Sequence, residues 1–310
     1  MRHRNDNMLL RIAQGDAYAL AYEYVKDKDA PGLREELLKV ERYHQHPTYH
    51  KLQAGSYTDD TQMSAAVSGV LIREASSKHD SWSTILMTPF VWYDAFFEAF
   101  KRDPRDGYSR GFQSLLESVK SADELRLMIK PDSTKNGAAM RSVPLGVIKD
   151  VEELKRVAGL QASTTHATFE GINSSIAVAL MSHFALYDRR DFSSMPQWLV
   201  THLPLCEGFR EPWVGPVQAK NAVSPYDVGL NTAWAVHTLL TTQTTLLGIM
   251  RQVIEWGGDT DSLASIAWGI ASCRMREDVP TFLESDLEKG SAYGVGYLKK
   301  LGTDLMEAYK

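Results

Sequence analysis

The sequence predicts an all-α protein that forms a single domain over residues 1–310. Apolar residues recur at three-and-four spacing in many stretches, which is typical of amphipathic helices. No useful run of alternating apolar and polar residues is present, and clusters of β-branched residues are few. The chain also contains no repeat of fixed period, no low-complexity tract and no linker. We therefore expect one helical domain.

The first half of the chain contains several predicted helices separated by polar stretches. The first is predicted over residues 7–25, although Gly15 and Asp16 lie in its middle. Because a central glycine costs a helix about 1 kcal/mol, we expect that this position needs a close approach or a carboxylate. The next helices are predicted over residues 33–40, 61–75, 82–100 and 109–120.

A polar and irregular stretch covers residues 26–56 and contains three closely spaced histidines, His44, His46 and His50. Pro47 would break any helix that aligned their side chains, and no acid flanks them, so a metal site is not expected here. We expect the histidine tract, residues 43–50, to be a solvated loop.

The second half of the chain is predicted to be helical as well. Residues 136–141 form a small-residue loop that runs into a helix, a geometry in which backbone N–H groups can face an anion. Residues 189–222 are richer in proline, tryptophan and turns. Helices are predicted over residues 151–159, 173–186 and 298–306, and two helical segments over residues 232–254.

Composition limits the classes of function. The chain is 44% hydrophobic and 24% charged with a formal net charge of -5, so a basic surface for nucleic acid is not indicated. Cys206 and Cys273 lie far apart in apolar surroundings, which predicts free buried thiols in a reducing compartment. No apolar stretch follows the N-terminus that would suit a signal peptide or a membrane span. We expect a cytoplasmic protein without a membrane partner.

Two clusters of acids and hydroxyls stand where helices are predicted to begin. Apolar residues at helical spacing follow each cluster at once, which places the cluster in the first turn of a helix. The clusters consist of Thr58, Asp59 and Asp60, and, much later in the chain, Asp259, Asp261 and Ser262. They can cooperate only if the whole chain folds as one unit.

Each cluster holds two acids, whereas capping a helix needs only one. Neighbouring carboxylates raise each other's pKa unless a cation offsets their charge. Carboxylate and hydroxyl oxygens favour Mg²⁺ or Mn²⁺ over metals that prefer thiolates. The residues by themselves leave two interpretations open, a divalent metal site and capping combined with exposure to solvent.

The order of short motifs along nearly the whole chain resembles the ADP-ribosylglycohydrolase family. The N-terminal motif of that family is similar to residues 15–17 followed by Glu23, although Ala19 stands where the family normally has a second glycine. The remaining motifs are similar to residues 57–61 (first metal motif), 136–141 (substrate loop), 165–166 (histidine motif) and 257–262 (second metal motif). Each motif is short, but five in family order are specific.

The resemblance implies an orthogonal multi-helix bundle with a central cleft that holds two Mg²⁺ or Mn²⁺ ions. The implied metal ligands are Thr58, Asp59, Asp60, Asp259, Asp261 and Ser262. The residues implied to bind the ribose and diphosphate are Asn136, Gly137, Ala138, Met140, Arg141 and, lining the same cleft, His166. Asp60 or Glu23 would act as the catalytic base, and Glu23 matches a mobile glutamate of the family.

Two of these residues, His166 and Arg141, have a second interpretation. His166 could be a buried histidine satisfied by backbone groups, and Arg141 could be a surface charge. Asp16 is expected to anchor the helices that carry the metal ligands rather than to bind a metal.

The implied activity is metal-dependent hydrolysis that removes ADP-ribose from ADP-ribosylated protein side chains, with arginine as the favoured linkage. Serine-linked, nucleic-acid-linked and free ADP-ribose compounds stay open, because the cleft motifs are shared among them. A different class of function is an immunity or binding protein that blocks an ADP-ribosyltransferase toxin directly. Residues 26–56 match no family motif and would be the place for such a contact.

Overall fold

Regular structure in this protein is helical. The computed structural model describes residues 4–76, 88–218, 224–275 and 277–310, and within those ranges it contains no β-strand. Two isolated bridges there pair Asp132 with His166 and Val217 with Gly258. The prediction of an all-α protein is confirmed.

The α-helices of the described residues are joined by turns, 3₁₀ turns and longer irregular segments. They are α1 (Met8–Ala19), α2 (Leu33–Lys39), α3 (Asp59–Ser76), α4 (Phe90–Arg102), α5 (Arg110–Ser118), α6 (Ala122–Met128), α7 (Gly137–Met140), α8 (Val151–Ser163), α9 (Phe169–Tyr187), α10 (Met195–His202), α11 (Val228–Thr242), α12 (Leu246–Trp256), α13 (Thr260–Ala271), α14 (Phe282–Ser285) and α15 (Val295–Ala308). The 3₁₀ turns are Leu20–Tyr22, Val143–Val147, Phe192–Ser194 and Pro204–Phe209.

Most of the predicted helices are present with shifted ends. The first ends at Ala19 instead of continuing to residue 25, and Tyr24 beyond it has a φ of 52° that no α-helix accommodates. Helix α8 continues through Gly159, where the sequence predicted its end. Of the helix predicted over residues 82–100, residues 82–87 lie outside the described residues and the remainder corresponds to α4.

The sequence did not predict α6 and α10. Each is only about two turns long and has one or two buried residues, so its apolar periodicity is too short to recognise. Helix α6 is instead defined by its cap, because the Ser121 hydroxyl accepts a hydrogen bond from the backbone N–H of Glu124.

Helices α1 and α13 form the centre of the fold. Every residue of α13 is buried, and α1 is buried except at Arg11. A helix that is buried on all faces belongs in the interior of a protein. The two helices pack extensively against each other, and α3 and α15 pack against α1. The two acid clusters therefore begin helices that form, or pack against, the most deeply buried part of the molecule.

Gly15 allows the backbones of α1 and α13 to touch. A Cβ atom at Gly15 would lie 2.6 Å from the carbonyl oxygen of Ala264. Gly269 has the same function from the other side, since its Cβ would lie 2.5 Å from Cγ1 of Ile12. The close approach that the sequence predicted at Gly15 is confirmed.

The histidine tract, residues 43–50, is an irregular loop with several exposed residues, as predicted, but it is not solvated throughout. Tyr43 and His46 are 8% and 5% exposed. The Tyr43 ring packs against the rings of Tyr18 and Phe282, and its hydroxyl donates a hydrogen bond to the Leu283 carbonyl at 2.8 Å. The aromatic residues of this irregular segment fill a gap beside α1, a packing role that periodicity does not reveal.

The remaining global predictions concern the cysteines and the membrane. Neither Cys206 nor Cys273 forms a disulfide, and both are buried, as predicted. Within the ranges that the structure describes, no helix has the length and apolar character needed to cross a bilayer.

We expect Gly15→Ala to destabilise the protein by about 1–3 kcal/mol, because the added methyl group would overlap the α13 backbone. Gly69→Ala is the matched control, since Gly69 also lies within a helix but its Cβ would meet nothing within 4 Å. This control should be neutral or stabilising by up to about 1 kcal/mol. Urea denaturation of both variants measures the difference, and equal stabilities would contradict the close approach.

Candidate metal centre and substrate cleft

Asp16 holds the first turn of α3 in place. Its carboxylate accepts hydrogen bonds from the backbone N–H and hydroxyl of Thr58, at 3.0 Å and 2.9 Å, and from the N–H and hydroxyl of Thr61, at 3.1 Å and 2.6 Å. Burial raises the pKa of Asp16 to about 6, and these four hydrogen bonds act in the opposite direction. Asp16 is therefore the buried anchor that the sequence predicted.

This anchor removes the capping interpretation for the first acid cluster. The N–H of Thr61, which a local side chain would normally cap, is bonded to Asp16 from α1. Asp59 and Asp60 are thus not needed to cap α3, and Asp60 is 2% exposed. Neither capping nor solvation accounts for Asp60.

The second acid cluster follows a turn made by two glycines. Gly257 and Gly258 have φ angles of 69° and 81°, and a Cβ at Gly258 would lie 2.2 Å from the Val217 carbonyl oxygen. Asp259 occupies the N-cap position of α13 but makes no capping hydrogen bond. Its Oδ2 instead accepts from Tyr24 Oη and Asn136 Nδ2, both at 3.1 Å.

The two acid clusters face one cleft of about 660 Å³, a volume in the usual range for small-molecule sites. Most of the residues that the sequence predicted for the site line this cleft. Those that line it are Glu23, Asp59, Asp60, Asn136, Gly137, Met140, Arg141, His166, Asp259, Asp261 and Ser262. The fold thus brings together residues from the beginning, middle and end of the chain.

Two predicted residues do not line the cleft. Ala138 is fully buried, and its carbonyl accepts hydrogen bonds from Ser142 and Gln161. Thr58 is also fully buried, and its hydroxyl hydrogen is donated to Asp16, so only lone pairs of that oxygen stay available to a cation. A direct role for Ala138 in binding is limited to its backbone.

Three carboxylates converge closely enough to share a metal ion. One oxygen atom from each of Glu23, Asp259 and Asp261 lies within 4.8 Å of the others. The sequence assigned Glu23 to catalysis, and the fold places it among the candidate ligands as well. Asp59 and Asp60 line the same cleft but do not belong to this tight group.

These carboxylates strongly disfavour one another's ionisation. Burial first, and then the charge of Asp259, raise the pKa of Glu23 to about 8. Burial, together with Asp16 and Asp259, raises the pKa of Asp59 to about 7. The pKa values of Asp60 and Asp261 are also raised well above the usual range, mainly by burial.

The donor set fits a hard divalent cation. Within the described ranges, no Lys or Arg forms an ion pair with any carboxylate of the cleft. Around the acid clusters the cleft offers carboxylate, hydroxyl and amide oxygens, and neither cysteine lines it. A divalent ion such as Mg²⁺ or Mn²⁺ would offset the accumulated negative charge.

Ser265 is a site residue that the sequence analysis missed. Its hydroxyl donates to Asp60 Oδ1 at 2.9 Å and so joins α13 to the start of α3. The Thr58 hydroxyl lies 3.5 Å from the other oxygen of Asp60 but gives its hydrogen to Asp16. A serine on the otherwise apolar face of α13 was the available signal.

Arg141 is buried, so the interpretation as a surface charge is wrong. Its Nε donates to Gln161 Oε1 and its Nη2 to Thr165 Oγ1, both at 2.7 Å. The guanidinium lies 4.2 Å from the centroid of the Phe96 ring. Arg141 therefore fastens the predicted substrate loop to α8 and α4.

His166 presents one defined nitrogen to the loop. The Thr165 hydroxyl accepts from Arg141, and among the described residues its own hydrogen has no acceptor other than His166 Nδ1, 2.6 Å away, to which it donates. The other nitrogen, Nε2, then carries the hydrogen and lies beside Gly137. Burial lowers the pKa of His166 to about 3, so the ring is neutral. Its partner is a side chain rather than the backbone that the second interpretation assumed.

The rim of the cleft carries cations and aromatic rings that the sequence analysis did not assign. Arg110, Lys130 and Lys135 line the cleft, are exposed, and form no ion pair with any described residue. Tyr24 and Tyr49 line it beside Glu23 and are 44% and 37% exposed. The cleft therefore has an acidic floor and a partly basic rim.

Comparison with known proteins places the chain in a family. The model of the ADP-ribosylglycohydrolase family matches residues 2–309. ADP-ribosylhydrolase ARH3 of Homo sapiens is 26% identical over 204 residues, which cover 63% of this chain and 53% of that protein. ARH3 of Bos taurus is 27% identical over 199 residues, covering 61% and 51%. The chain thus spans about half the length of these curated relatives.

A solved structure confirms the fold. The chain matches a structure titled "ADP-ribosylglycohydrolase-related protein complex" with a TM-score of 0.68 and 19% sequence identity, over 99% of this chain and 98% of the other. The helical architecture is therefore shared across nearly the full length of both chains.

The raised pKa values predict that the metal-free protein loses stability as pH rises from about 6.5 to 8.5. Folded Asp59 and Glu23 keep protons that the unfolded chain has already lost, so each retained proton costs roughly 1.4 kcal/mol per pH unit until the folded pKa is passed. The buried histidines, whose pKa values are lowered, act in the opposite direction only below about pH 6.5.

Thermal unfolding in chelator measures this effect, with the same scan in Mn²⁺ as the comparison. Mn²⁺ should stabilise the protein more at the higher pH, because the metal favours the ionised carboxylates. A melting temperature that stays level or rises over this window without metal would contradict the charge distribution described for the cleft.

Proposed function

The chain belongs to the ADP-ribosylglycohydrolase family, and we propose that it is a metal-dependent hydrolase that releases ADP-ribose from ADP-ribosylated protein side chains. The main support is the single cleft in which Glu23, Asp259 and Asp261 converge within 4.8 Å below the substrate loop. The acidic floor would attract divalent cations, which in turn would coordinate the hydroxyls of a ribose. The basic rim would attract phosphate groups.

The substrate loop and its neighbours fit the diphosphate end of such a ligand. Helix α7 starts at Gly137, and His166 directs an N–H towards the same place. Lys135 and Lys130 stand at the adjoining rim, and neither forms an ion pair with a described residue. Cations and N–H donors stabilise phosphate oxygens.

Hydrolysis requires that water attack the anomeric carbon as the bond to the modified side chain breaks. When bound, divalent ions would hold the ribose hydroxyls and lower the pKa of a nearby water. We assign the base to Glu23, which is partly exposed to the cleft, whereas Asp60 is buried and held by the Ser265 hydroxyl. The Glu23 carboxylate takes one proton from the water as the water oxygen bonds to the anomeric carbon. The side chain leaves with the electron pair of the broken bond and receives that proton from Glu23.

Arginine is the linkage that we favour. Tyr24 and Tyr49 present half-exposed rings beside Glu23, and the surrounding carboxylates create a negative potential. Both features would stabilise a bound guanidinium, because it stacks on aromatic rings and its positive charge is attracted by the carboxylates. A serine oxygen would gain from neither.

Direct blocking of a toxin receives less support than hydrolysis. That function was attached to residues 26–56 because they match no family motif. His46 and Tyr49 of this segment contact Glu23, so at least part of the segment builds the cleft. Because this segment helps to build the cleft, the absence of a family motif in it no longer indicates that it binds a partner.

We expect the protein to release ADP-ribose from an arginine-ADP-ribosylated protein when Mg²⁺ or Mn²⁺ is present, and to lose this activity in chelator. Asp261→Ala should lower kcat at least about 100-fold, because it removes one of the three converging carboxylates. Asp123→Ala, on the exposed surface of α6, is the control. Absence of release with both metals would refute the proposed activity, and full turnover by Asp261→Ala would refute the metal assignment.

The linkage can be tested with two kinds of Tyr24 variant. Tyr24→Ala should lower kcat/KM for arginine-linked substrate by about 2- to 30-fold, the range expected for a lost cation–π contact, and should affect serine-linked substrate less. Tyr24→Phe keeps the ring and loses the bond to Asp259, so it separates stacking from the hydroxyl. Faster release from serine than from arginine by the unaltered protein would overturn the preference.

A further inference from the structure

The histidine tract, which sequence analysis left without a function, contacts Glu23 from two sides. His46 Nε2 lies 2.9 Å from the backbone carbonyl oxygen of Glu23. Tyr49 lines the cleft beside Glu23, and its hydroxyl interacts with the Glu23 side chain. One short segment therefore contacts both the backbone and the carboxylate of the residue at the centre of the cleft.

The protonation of His46 is determined by its neighbours. The backbone N–H groups of Thr48 and Tyr49 both donate to His46 Nδ1, each at 3.1 Å. A nitrogen that accepts two such bonds carries no hydrogen, so the hydrogen of the neutral ring is on Nε2. His46 Nε2 is therefore the donor to the Glu23 carbonyl.

The His46 ring also fixes the direction of Tyr49. The two rings are stacked, with centroids 3.8 Å apart and an angle of 11° between their planes. His46 is buried, whereas Tyr49 is 37% exposed and borders the cleft. The buried His46 ring thus supports the exposed Tyr49 ring, which carries the hydroxyl that interacts with Glu23.

Glu23 has little other support of its own. It follows the 3₁₀ turn Leu20–Tyr22 with extended backbone angles, φ −57° and ψ 117°, and the next residue, Tyr24, has a positive φ. The Tyr24 N–H donates to the Gly258 carbonyl at 2.8 Å, which ties the chain beyond Glu23 to the glycine turn. Outside a helix, the orientation of the Glu23 side chain depends on its hydrogen-bond partners.

We propose that His46 and Tyr49 are positioning residues that hold Glu23 against Asp259 and Asp261. His46 fixes the Glu23 backbone and the Tyr49 ring, and Tyr49 orients the carboxylate. Neither residue needs to touch the substrate for this purpose. Their effect on turnover rests on the proposed function, whereas their effect on a divalent ion at the cluster does not.

A double-mutant cycle between Tyr49→Phe and Glu23→Gln tests the proposal. Tyr49→Phe removes only the hydroxyl and keeps the stacked ring. It should lower kcat by about 10-fold with KM within about twofold, and weaken Mn²⁺ binding several-fold, as expected for a residue that orients a ligand. In the Glu23→Gln background the same substitution should have no further effect on either quantity.

His46→Gln extends the test and His44→Gln is its control. The shorter amide side chain introduced by His46→Gln could still donate to the Glu23 carbonyl but could not support the Tyr49 ring, so a loss like that of Tyr49→Phe is expected. His44 belongs to the same tract and forms no hydrogen bond with Glu23 among the described residues, so His44→Gln should behave as the unaltered protein. Circular dichroism melting of each variant establishes that the fold is kept.

Two results would overturn the proposal. One is a Tyr49→Phe effect of the same size in the unaltered protein and in the Glu23→Gln background, since Tyr49 would then act independently of Glu23. The other is unchanged Mn²⁺ affinity and unchanged kcat in Tyr49→Phe. If the unaltered protein releases no ADP-ribose, the proposed function fails, and the cycle is evaluated on the Mn²⁺ dissociation constant alone, measured by titration calorimetry.

Discussion

The structure depends on the contact that the adjacent residues Gly15 and Asp16 make from the middle of α1. Gly15 lets the α13 backbone approach, and Asp16 binds the first turn of α3 through four donors of Thr58 and Thr61. One buried helix thereby fixes the starts of the two helices that carry the acid clusters. Hydrogen bonds to a charged group are stronger than neutral ones, which suits an anchor that carries no ligand itself.

Because of this arrangement, the other acids are not needed to cap the helices. Asp16 caps α3 from a different helix, and Asp259 makes no capping bond although it begins α13. The carboxylates that remain are buried close together without a positive partner among the described residues, which raises their pKa values. Such a cluster costs the folded protein stability, and sites that accept this cost are often functional.

The irregular segment before α3 shows how a stretch without regular structure can be important to a site. Its tyrosine and histidine rings are partly buried, with Tyr43 in the core and Tyr49 at the cleft. An unmatched and polar sequence suggested a partner surface, but two of its side chains contact Glu23. The segment that matches no family motif therefore lies at the cleft.

The sequence by itself determined the helical class, most helices and the positions of both acid clusters, because these depend on spacing between near neighbours in the chain. It also indicated the close approach at Gly15, since a glycine followed by an acid is unfavourable inside a helix. It could not reveal the Ser265 bond to Asp60, the burial of Arg141 or the contact of His46 with Glu23. These features depend on residues that are distant in sequence. Such residues come within hydrogen-bonding distance only when α1 packs against α3 and α13 and the irregular segment before α3 packs beside them.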